Sequence, residues 1–385
     1  MATLSNWNIH PERGFLPETD PLDKLPAPFA EWDELGYELP KLLVSSKLRK
    51  RIDAMPELDP SGLASRAEQE RAMMILSYLG HAYLWGEASP VDEFPACLAK
   101  PWHALATSLG RHPVLSYASY ALHNWRRIDV GEPISLGNIA LLQNFLGGID
   151  EEWFILIHVD IEAMAAPALH ALYRAQIAVA NADVREIETQ LTTSADALER
   201  MFRSLERMPE HCDPYIYFNR VRPYIHGWKN NPAVPQGVRY AGVAAYHGAP
   251  QQFRGETGAQ STIVPAFDAV LGIEHDDDPL RQYLLEMREY MPAEHRAFLI
   301  MLEAGPSLRD FVRSRLADQP ALREIYNRNV HWVEEFRTLH LGYAASYIQH
   351  QHQRSKANPS AIGTGGTPFM TYLKKHRDES TKHLL

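Results

Sequence analysis

One histidine of this chain is placed where it could bind a metal. Residues three and four positions apart on a helix share a face, and one such face would consist of Val333, Phe336, His340, Ala344 and Tyr347. His340 lies in the middle of this apolar stripe, so its ring nitrogens need partners. A core histidine bonded to a carbonyl group would satisfy them. A metal would also do so, and haem iron is the leading candidate because one histidine can be its only protein ligand.

Two other histidines stand apart from the rest. His158 lies in the middle of the most apolar predicted helix, and His226 lies among aromatic and arginine side chains. His158 and Glu162 are four residues apart, but the sequence HVDIE lacks the second histidine of the HExxH zinc motif. A zinc peptidase site is therefore excluded, and each histidine by itself is as compatible with a structural role.

Phe218 and Arg222 are four residues apart and would share one face of a helix. An aromatic ring beside a guanidinium group suits an aromatic substrate with a carboxylate, which arginine can bind through two parallel hydrogen bonds. The alternative is a cation–π contact or a salt-bridge pair on the surface. The spacing alone favours that alternative.

A glycine-rich run, GTGGT at residues 363–367, lies near the C-terminus. It follows no predicted strand and matches neither phosphate-loop pattern. We expect a mobile lid near residues 351–367, whose glycines let backbone amides approach a ligand. A flexible linker before the last helix is the alternative.

The composition of the 385 residues indicates a soluble globular protein. The net charge of −10 argues against a nucleic-acid partner, and the two cysteines, Cys97 and Cys212, are expected to be reduced thiols. The N-terminus lacks the apolar core of a signal peptide. The most apolar run, Trp153–Ala180, contains ionisable side chains, so we expect a buried helix and no membrane partner. These features predict a cytoplasmic protein.

The pattern of the whole chain predicts an all-α fold. A proline-rich extended arm over the surface is expected for residues 1–40. A smaller helical domain, 1–128, would precede a larger one, 129–385. The predicted helices cover 42–55, 63–87, 102–109, 114–127, 136–146, 151–179, 183–208, 260–272, 278–290, 293–303, 306–316, 326–350 and 368–383.

Long segments of the chain resemble the indoleamine 2,3-dioxygenase family. The likeness covers most of the chain after about residue 100, and its motifs occur in the family's order. The segments are HPVLSYASYALHNW (112–125), YFNRVRPYIHGWKNNP (217–232), RGETGAQSTIVPAFDAVLGIEH (254–275), FRTLHLGYAASYI (336–348) and GTGGTPFMTYLKKHRDES (363–380).

The resemblance implies a two-domain helical protein whose larger domain holds haem b. It assigns His340 as the proximal iron ligand, which favours the ligand interpretation over the core histidine. Arg337 and Asp268 match an ion pair on the proximal side that would anchor the ligand helix. The matches to the substrate and haem-edge positions are Phe218 (aromatic wall), Arg222 (substrate carboxylate), Thr367 (closing loop), and Gly255, Thr257 and Gly258 (haem-edge loop).

Several residues differ from the pattern of the mammalian members of this family. His158 stands in place of a serine on the distal face, Tyr120 in place of a cysteine, Ala121 in place of a valine and Tyr217 in place of a phenylalanine, whereas Phe154 keeps the aromatic character. A distal histidine is similar to the arrangement in tryptophan 2,3-dioxygenases. It implies that neutral His158 accepts a hydrogen bond from the indole N–H.

The activity implied is the insertion of both atoms of O2 across the indole C2–C3 bond of L-tryptophan or a related indole, which gives N-formylkynurenine. The partners implied are the indole, O2 and an unidentified reductant. Two alternatives stay open at this point. One is a haem enzyme of the same superfamily that rearranges an indole without dioxygenation, as in pyrrolnitrin biosynthesis. The other is a haem-binding sensor without turnover.

Overall fold

The computed structural model describes residues 3–354, 363–365 and 369–385, and the fold is all-α, as predicted. The first group of helices is α1 (Ala30–Leu43), α2 (Leu48–Asp53), α3 (Arg66–Trp85) and α4 (Ala96–Ser108). The second group is α5 (Ile149–Ala180), α6 (Val184–Glu206), α7 (Pro214–Ile216), α8 (Ile263–Leu271), α9 (Pro279–Met287), α10 (Ala293–Glu303), α11 (Leu308–Arg313), α12 (Pro320–Ala344), α13 (His350–Arg354) and α14 (Phe369–Thr381).

Extended structure in the described ranges is limited to two short ladders. Strand β1 (Glu93–Phe94) pairs in parallel with β4 (Arg239–Tyr240), and β2 (Arg126–Arg127) pairs antiparallel with β3 (Ile139–Ala140). The parallel β1–β4 ladder joins the loop that contains Arg239 and Tyr240 to the group of N-terminal helices.

Helix α3 begins three residues after the predicted start, directly after Ser65. The Ser65 hydroxyl accepts a hydrogen bond from the Glu68 amide at 3.2 Å, and the Glu68 carboxylate accepts from the Ser65 amide at 3.1 Å. This reciprocal pair satisfies two amides that a helix N-terminus leaves free. The body of α3 is buried between α1 and α4.

The predicted surface arm over residues 1–40 is wrong in two respects. Its last third is helix α1, which tolerates Pro40 because that residue lies in the final turn. The earlier part is irregular but anchored, since Ile9, Phe15 and Leu16 are buried in the protein core. The predicted helix 42–55 is accordingly shorter and begins later, as α2.

The predicted helix 136–146 is also wrong, because side chains from elsewhere bind its backbone in an irregular path. The Glu151 carboxylate accepts hydrogen bonds from the amides of Phe145, Leu146 and Gly147 at 2.6–3.0 Å. The Leu136 amide donates to Asp160 at 3.0 Å. These amides have acceptors outside any helix, so helical hydrogen bonding is not needed.

Helix α5 is the central element of the fold. It is long and apolar enough to cross a membrane by length and composition, yet 72% of its most apolar window is buried inside the protein. It packs along α6 and against α8. The helix therefore has the burial of a core helix of a folded domain.

Helix α12 covers most of the predicted helix 326–350, but it ends earlier, at Ala344. It passes into a π-helical turn, Ala345–Gln349, before α13. It packs on α6 and on the terminal helix α14, which lies within the predicted 368–383.

The apolar interior consists of two clusters of buried residues. One contains side chains of α1–α4 together with Ile225–Phe253, and the other is built around α5, α6, α8, α10 and α12 and includes Leu4–Leu16. Chain segments thus cross between the clusters, and the domain boundary near residue 128 stays a prediction.

Candidate functional site

His158 projects from the middle of α5 and is fixed through one ring nitrogen. Its Nδ1 atom lies 2.7 Å from the carbonyl oxygen of Phe154, one turn earlier. A carbonyl can only accept, so Nδ1 has the hydrogen. Burial lowers the pKa of His158, which keeps the ring neutral at pH 7. Its Nε2 atom is therefore a hydrogen-bond acceptor.

Aromatic rings surround His158. The ring of Phe154 lies 4.9 Å from the imidazole and 4.6 Å from the ring of Tyr217. Tyr120 and Tyr117 complete the wall, with centroid distances of 6.3 Å from Tyr120 to Phe154 and 6.0 Å from Tyr117 to His158. The predicted pocket residues His158, Phe154, Tyr217 and Tyr120 are thus brought together, with buried Ala121 next to Tyr120. Tyr117, which was not predicted, lies with them.

His340 lies on α12. Its side chain is exposed, which corrects the expectation of a buried stripe. Desolvation by the surrounding protein nevertheless lowers its pKa to about 4, with a further contribution from His158. Accessible area within a desolvating environment indicates a wall of an interior cavity and not the outer surface. The imidazole forms no hydrogen bond with any described residue, so the core-histidine alternative is wrong.

The ion pair predicted beside His340 is present. Arg337, one turn before His340, donates to the Asp268 carboxylate at 2.6 Å and to the Ser380 hydroxyl of α14. Burial opposes ionisation of Asp268, but the Arg337 charge and the His275 ring hold its pKa at about 2. The ion pair therefore links α8, α12 and α14 beside the candidate ligand.

The residues present fit a haem group. His340 offers one neutral, unpartnered imidazole, which is the protonation state that metal binding requires. After burial, His158 also contributes to the lowered pKa of His340. One histidine that could bind the iron and a second that can accept a hydrogen bond from a substrate suit a haem group.

Phe218 and Arg222 form a buried pair, so the alternative of a surface contact is wrong. Both are completely buried, and the guanidinium lies 5.7 Å from the ring centroid. Arg222 Nη1 donates to His226 Nε2 at 2.9 Å, which requires a neutral His226. Burial lowers the pKa of Arg222 to about 10, so the group is still charged at pH 7. A buried positive charge of this kind suits a substrate carboxylate.

The loop after Arg254 is held close to the backbone of residues 225–227. A Cβ atom on Gly255 would lie 2.2 Å from both the Gly227 nitrogen and the Ile225 oxygen, so only glycine fits there. Thr257 accepts from the Ala259 amide, and a Cβ on Gly258 would meet open space. The loop is thus packed closely on residues 225–227, and its role at the haem edge stays a prediction.

The glycine-rich segment contacts this same loop. Gly227 donates to the Thr364 carbonyl at 3.3 Å, and Arg254 donates to the Gly365 carbonyl at 2.5 Å. Thr367, the predicted closing residue, lies outside the described residues, as does most of the predicted lid. Its role stays a prediction.

Glu256 is a site residue that the sequence analysis missed. It is 3% exposed, and burial raises the pKa of its carboxyl to about 8. The available signal was an acidic residue inside a glycine-rich loop, RGETG, where both neighbours had been identified as site residues. A charged residue in such a loop is usually solvated, and only the fold shows that this one is not.

The chain is similar to indoleamine 2,3-dioxygenases over nearly its whole length. A family profile described as indoleamine 2,3-dioxygenase matches residues 3–383. Indoleamine 2,3-dioxygenase 1 of Rattus norvegicus is 34% identical over 396 residues, covering 99% of this chain and 96% of the relative. Indoleamine 2,3-dioxygenase of Saccharomyces cerevisiae is 32% identical over 427 residues, covering 99% and 93%. A 6-hydroxytryptophan 2,3-dioxygenase of Fusarium equiseti is 30% identical over 403 residues, covering 100% and 98%.

Proposed function

Since this chain belongs to the indoleamine 2,3-dioxygenase family, we propose that it adds both atoms of O2 across the indole C2–C3 bond of L-tryptophan or a related indole. The product would be N-formylkynurenine or its ring-substituted counterpart. The observation that supports this most directly is the aromatic wall around neutral His158, whose Nε2 atom can accept a hydrogen bond.

The cofactor in this proposal is haem b. When bound, its iron supplies the binding and activation of dioxygen. His340 would hold the iron, and the Arg337–Asp268 ion pair would fix the helix from which His340 projects. The chain's own contribution is position and a pocket that excludes water, and no nucleophilic side chain is required.

The indole ring would be oriented by His158 and the aromatic wall. The Nε2 atom of neutral His158 accepts the indole N–H, while Phe154 and Tyr217 confine the ring. Tyr120 takes up space at the pocket floor, and Ala121 lies next to it. Arg222, with Phe218 against it, binds the substrate carboxylate at the other end.

Haem-loaded, reduced protein should be supplied with tryptophan and ¹⁸O2 to test the activity. The expected product contains two labelled oxygen atoms and absorbs as N-formylkynurenine. A rearranged product without label would support the rearrangement alternative. Binding without product, across a panel of indoles, would support the sensor alternative. Either result would overturn the dioxygenase proposal.

Replacing Arg222 by leucine should weaken binding of carboxylated substrates selectively. We expect the KM of tryptophan to rise tenfold or more, because a charge-assisted hydrogen bond contributes about 1.5–3 kcal/mol. The KM of tryptamine, which lacks the carboxylate, should change far less. Arg220→Leu is a matched control, since Arg220 is exposed two residues away. Equal effects of Arg222→Leu on both substrates would contradict the carboxylate assignment.

The proposal includes an unidentified reductant for the haem, a cytoplasmic location, and no nucleic-acid or membrane partner. The net charge of −10 supports the absence of a nucleic-acid partner, and the unpaired thiols of Cys97 and Cys212 support the cytoplasmic location.

A ring-hydroxylated tryptophan is a second candidate substrate. It is supported by the name of the Fusarium equiseti relative and by the polar residues discussed next.

A further inference from the structure

The side chain of Glu256 is held in a fixed place by the backbone around it. The Glu256 amide donates to the Ile225 carbonyl at 3.1 Å, directly after the tight approach of Gly255 to Gly227. Gln260 closes the loop from the other side. The Gln260 side chain donates to the Gly255 carbonyl at 2.9 Å and accepts from the Tyr117 amide at 2.9 Å. The loop is therefore pinned between the 225–227 segment and the Tyr117 wall.

The Glu256 carboxyl has no protein partner. It is 3% exposed, yet no hydrogen bond or ion pair joins it to any residue in the described ranges. The buried carboxyl of Glu162, by contrast, is partnered through one oxygen: its Oε1 atom accepts from the hydroxyls of Tyr117 and Ser261, both at 2.9 Å. A carboxyl that is largely buried and has no such partner is destabilising unless another group pairs with it. Glu256 therefore suits a ligand group that forms this pair.

The loop that contains Glu256 lies beside the part of the pocket that surrounds the aromatic ring, because Gln260 of this loop accepts a hydrogen bond from the Tyr117 amide. Burial is the main reason that the pKa values of Tyr117, Tyr120 and Tyr217 are raised, and a negative charge at Glu256 adds to it in all three. Two of these rings pack on Phe154, and the third on His158. The Tyr120 hydroxyl is also buried without a partner.

The amino-acid end of the substrate lies elsewhere. The Arg222 guanidinium, which would bind the substrate carboxylate, donates to His226, and no ion pair joins it to Glu256. The substrate ammonium group is bonded to the same carbon as that carboxylate and would lie beside Arg222. The indole N–H already has an acceptor in His158 Nε2.

We propose that Glu256 is a specificity-determining residue that hydrogen-bonds a polar substituent on the benzene ring of the indole. The substrate class selected would be tryptophans with a ring hydroxyl or amino group. This inference rests on the proposed function. With its pKa near 8, the carboxyl is mostly protonated at pH 7 and can donate one hydrogen bond and accept another. A hydroxyl group complements both, and the Tyr120 hydroxyl is available as a second partner.

Steady-state kinetics on a substrate panel would test this. The panel consists of tryptophan, the four benzene-ring hydroxytryptophans, the size-matched methyltryptophans and 1-methyltryptophan. For the wild-type protein we expect kcat/KM of at least one hydroxytryptophan to exceed that of its methyl counterpart by tenfold or more, because a site built for a hydroxyl rejects the analogue that lacks it. Glu256→Leu should reduce this ratio to near one, and Glu256→Gln should keep part of it.

Glu162→Gln is the matched control, because this carboxyl is equally buried but already paired within the protein. It should leave the hydroxyl-to-methyl ratio at the wild-type value. Haem content and melting temperature of each variant show whether it is folded. If Glu256→Leu folds and keeps the wild-type ratio, or if the wild-type protein shows no preference, the inference is overturned.

Two further outcomes separate this inference from its premise. If Glu256→Leu lowers kcat/KM for tryptophan but not for 1-methyltryptophan, Glu256 binds the indole N–H, and the ring-substituent assignment is wrong. If no indole of the panel gains labelled oxygen from ¹⁸O2, the proposed function itself has failed. Turnover of tryptophan without discrimination at the ring refutes the Glu256 assignment alone.

Discussion

The histidines around the site differ in charge because their partners differ. His158 donates to a backbone carbonyl, and His226 accepts from a guanidinium group, so both are neutral and their pKa values are lowered, mainly by burial. His275 lies between two carboxylates, Asp268 and Glu379. Although burial opposes its charge, these carboxylates raise its pKa. Partner type thus decides which histidine can accept a hydrogen bond and which one carries a charge.

His226 acts through Arg222 and is a positioning residue. Removing its ring with His226→Ala should free the guanidinium from its fixed orientation. We expect the KM of tryptophan to rise several-fold, since a typical hydrogen bond contributes about 0.5–1.5 kcal/mol. His226→Gln, whose side-chain oxygen can accept the same bond, should recover most of the loss.

Tryptamine kinetics provide the control for His226. A purely structural defect would affect tryptamine and tryptophan alike, whereas loss of carboxylate positioning affects tryptophan alone. Rescue by glutamine together with an unchanged KM of tryptamine would support the positioning role. Equal loss for both substrates in both variants would contradict it.

At the scale of elements, three π-helical turns place side chains in the site. They cover Ala118–Leu122, Tyr217–Val221 and Ala345–Gln349. The second and third meet where the ring of Tyr217 lies 5.8 Å from that of Tyr347. A π-turn widens the helix by one residue per turn and is frequent at functional sites. In this protein the π-turns change the direction of the side chains, so that they point toward the pocket.

The terminal helix α14 is fastened to the proximal side by a charge network. Glu379 pairs with His275 at 2.6 Å, His275 approaches Asp268 at 3.3 Å, and Asp268 pairs with Arg337. The chain's last helix is thereby linked to the helix that presents His340. The network lies close to the candidate haem ligand without including it.

Asp268→Asn should loosen this network. It leaves the buried Arg337 without its counter-charge, and breaking a buried ion pair costs about 3–5 kcal/mol. We expect a lower unfolding midpoint and faster loss of haem to an acceptor globin. Glu206→Gln breaks an exposed pair with Arg203 and is the control, because exposed pairs contribute about 0–1 kcal/mol. Haem retention equal to that of the control would contradict the linking role of Asp268.

At the scale of the whole molecule, burial shifts acids and histidines in opposite directions. It raises the pKa of Glu151 and Glu162 to about 7 and that of Glu256 to about 8. It lowers the pKa of His81 to about 4 and that of His295 to about 3. Both shifts favour neutral groups in the interior.

Stability should therefore be greatest near pH 6.5. Above this pH the unfolded carboxyls are ionised while the folded ones keep their protons, so the free energy of unfolding falls as pH rises toward 8. Below it the unfolded histidines bind protons that the buried ones do not, so the free energy falls as pH decreases. Buried histidines with lowered pKa outnumber buried carboxyls with raised pKa, so the acidic slope prevails below 6.5.

Urea unfolding at pH 5, 6.5 and 8 would measure this profile. Glu256→Gln should flatten the alkaline side, because the amide cannot ionise. A free energy of unfolding that continues to rise between pH 6.5 and 8 would show that these carboxyls are not buried as described.

The sequence by itself determined the class of the fold and most of its long helices. Their signals are local: Ser65 and Glu68 cap α3, and continuous apolar periodicity marks α6 and α12. The family motifs also predicted most of the candidate site, including His340, Arg222 and the Arg337–Asp268 pair. These helices and site residues can be predicted because their signals lie in residues close together in the sequence or in long segments that match the family.

Only the tertiary structure decided the rest. Residues 136–146 are irregular because Glu151 and Asp160, from a later helix, satisfy their amides. The burial of Glu256 depends on a glycine-to-glycine contact between segments almost thirty residues apart, so the letters RGETG alone suggest a solvated acid. Local periodicity cannot report either effect, because each comes from polar groups that meet only after the chain has folded.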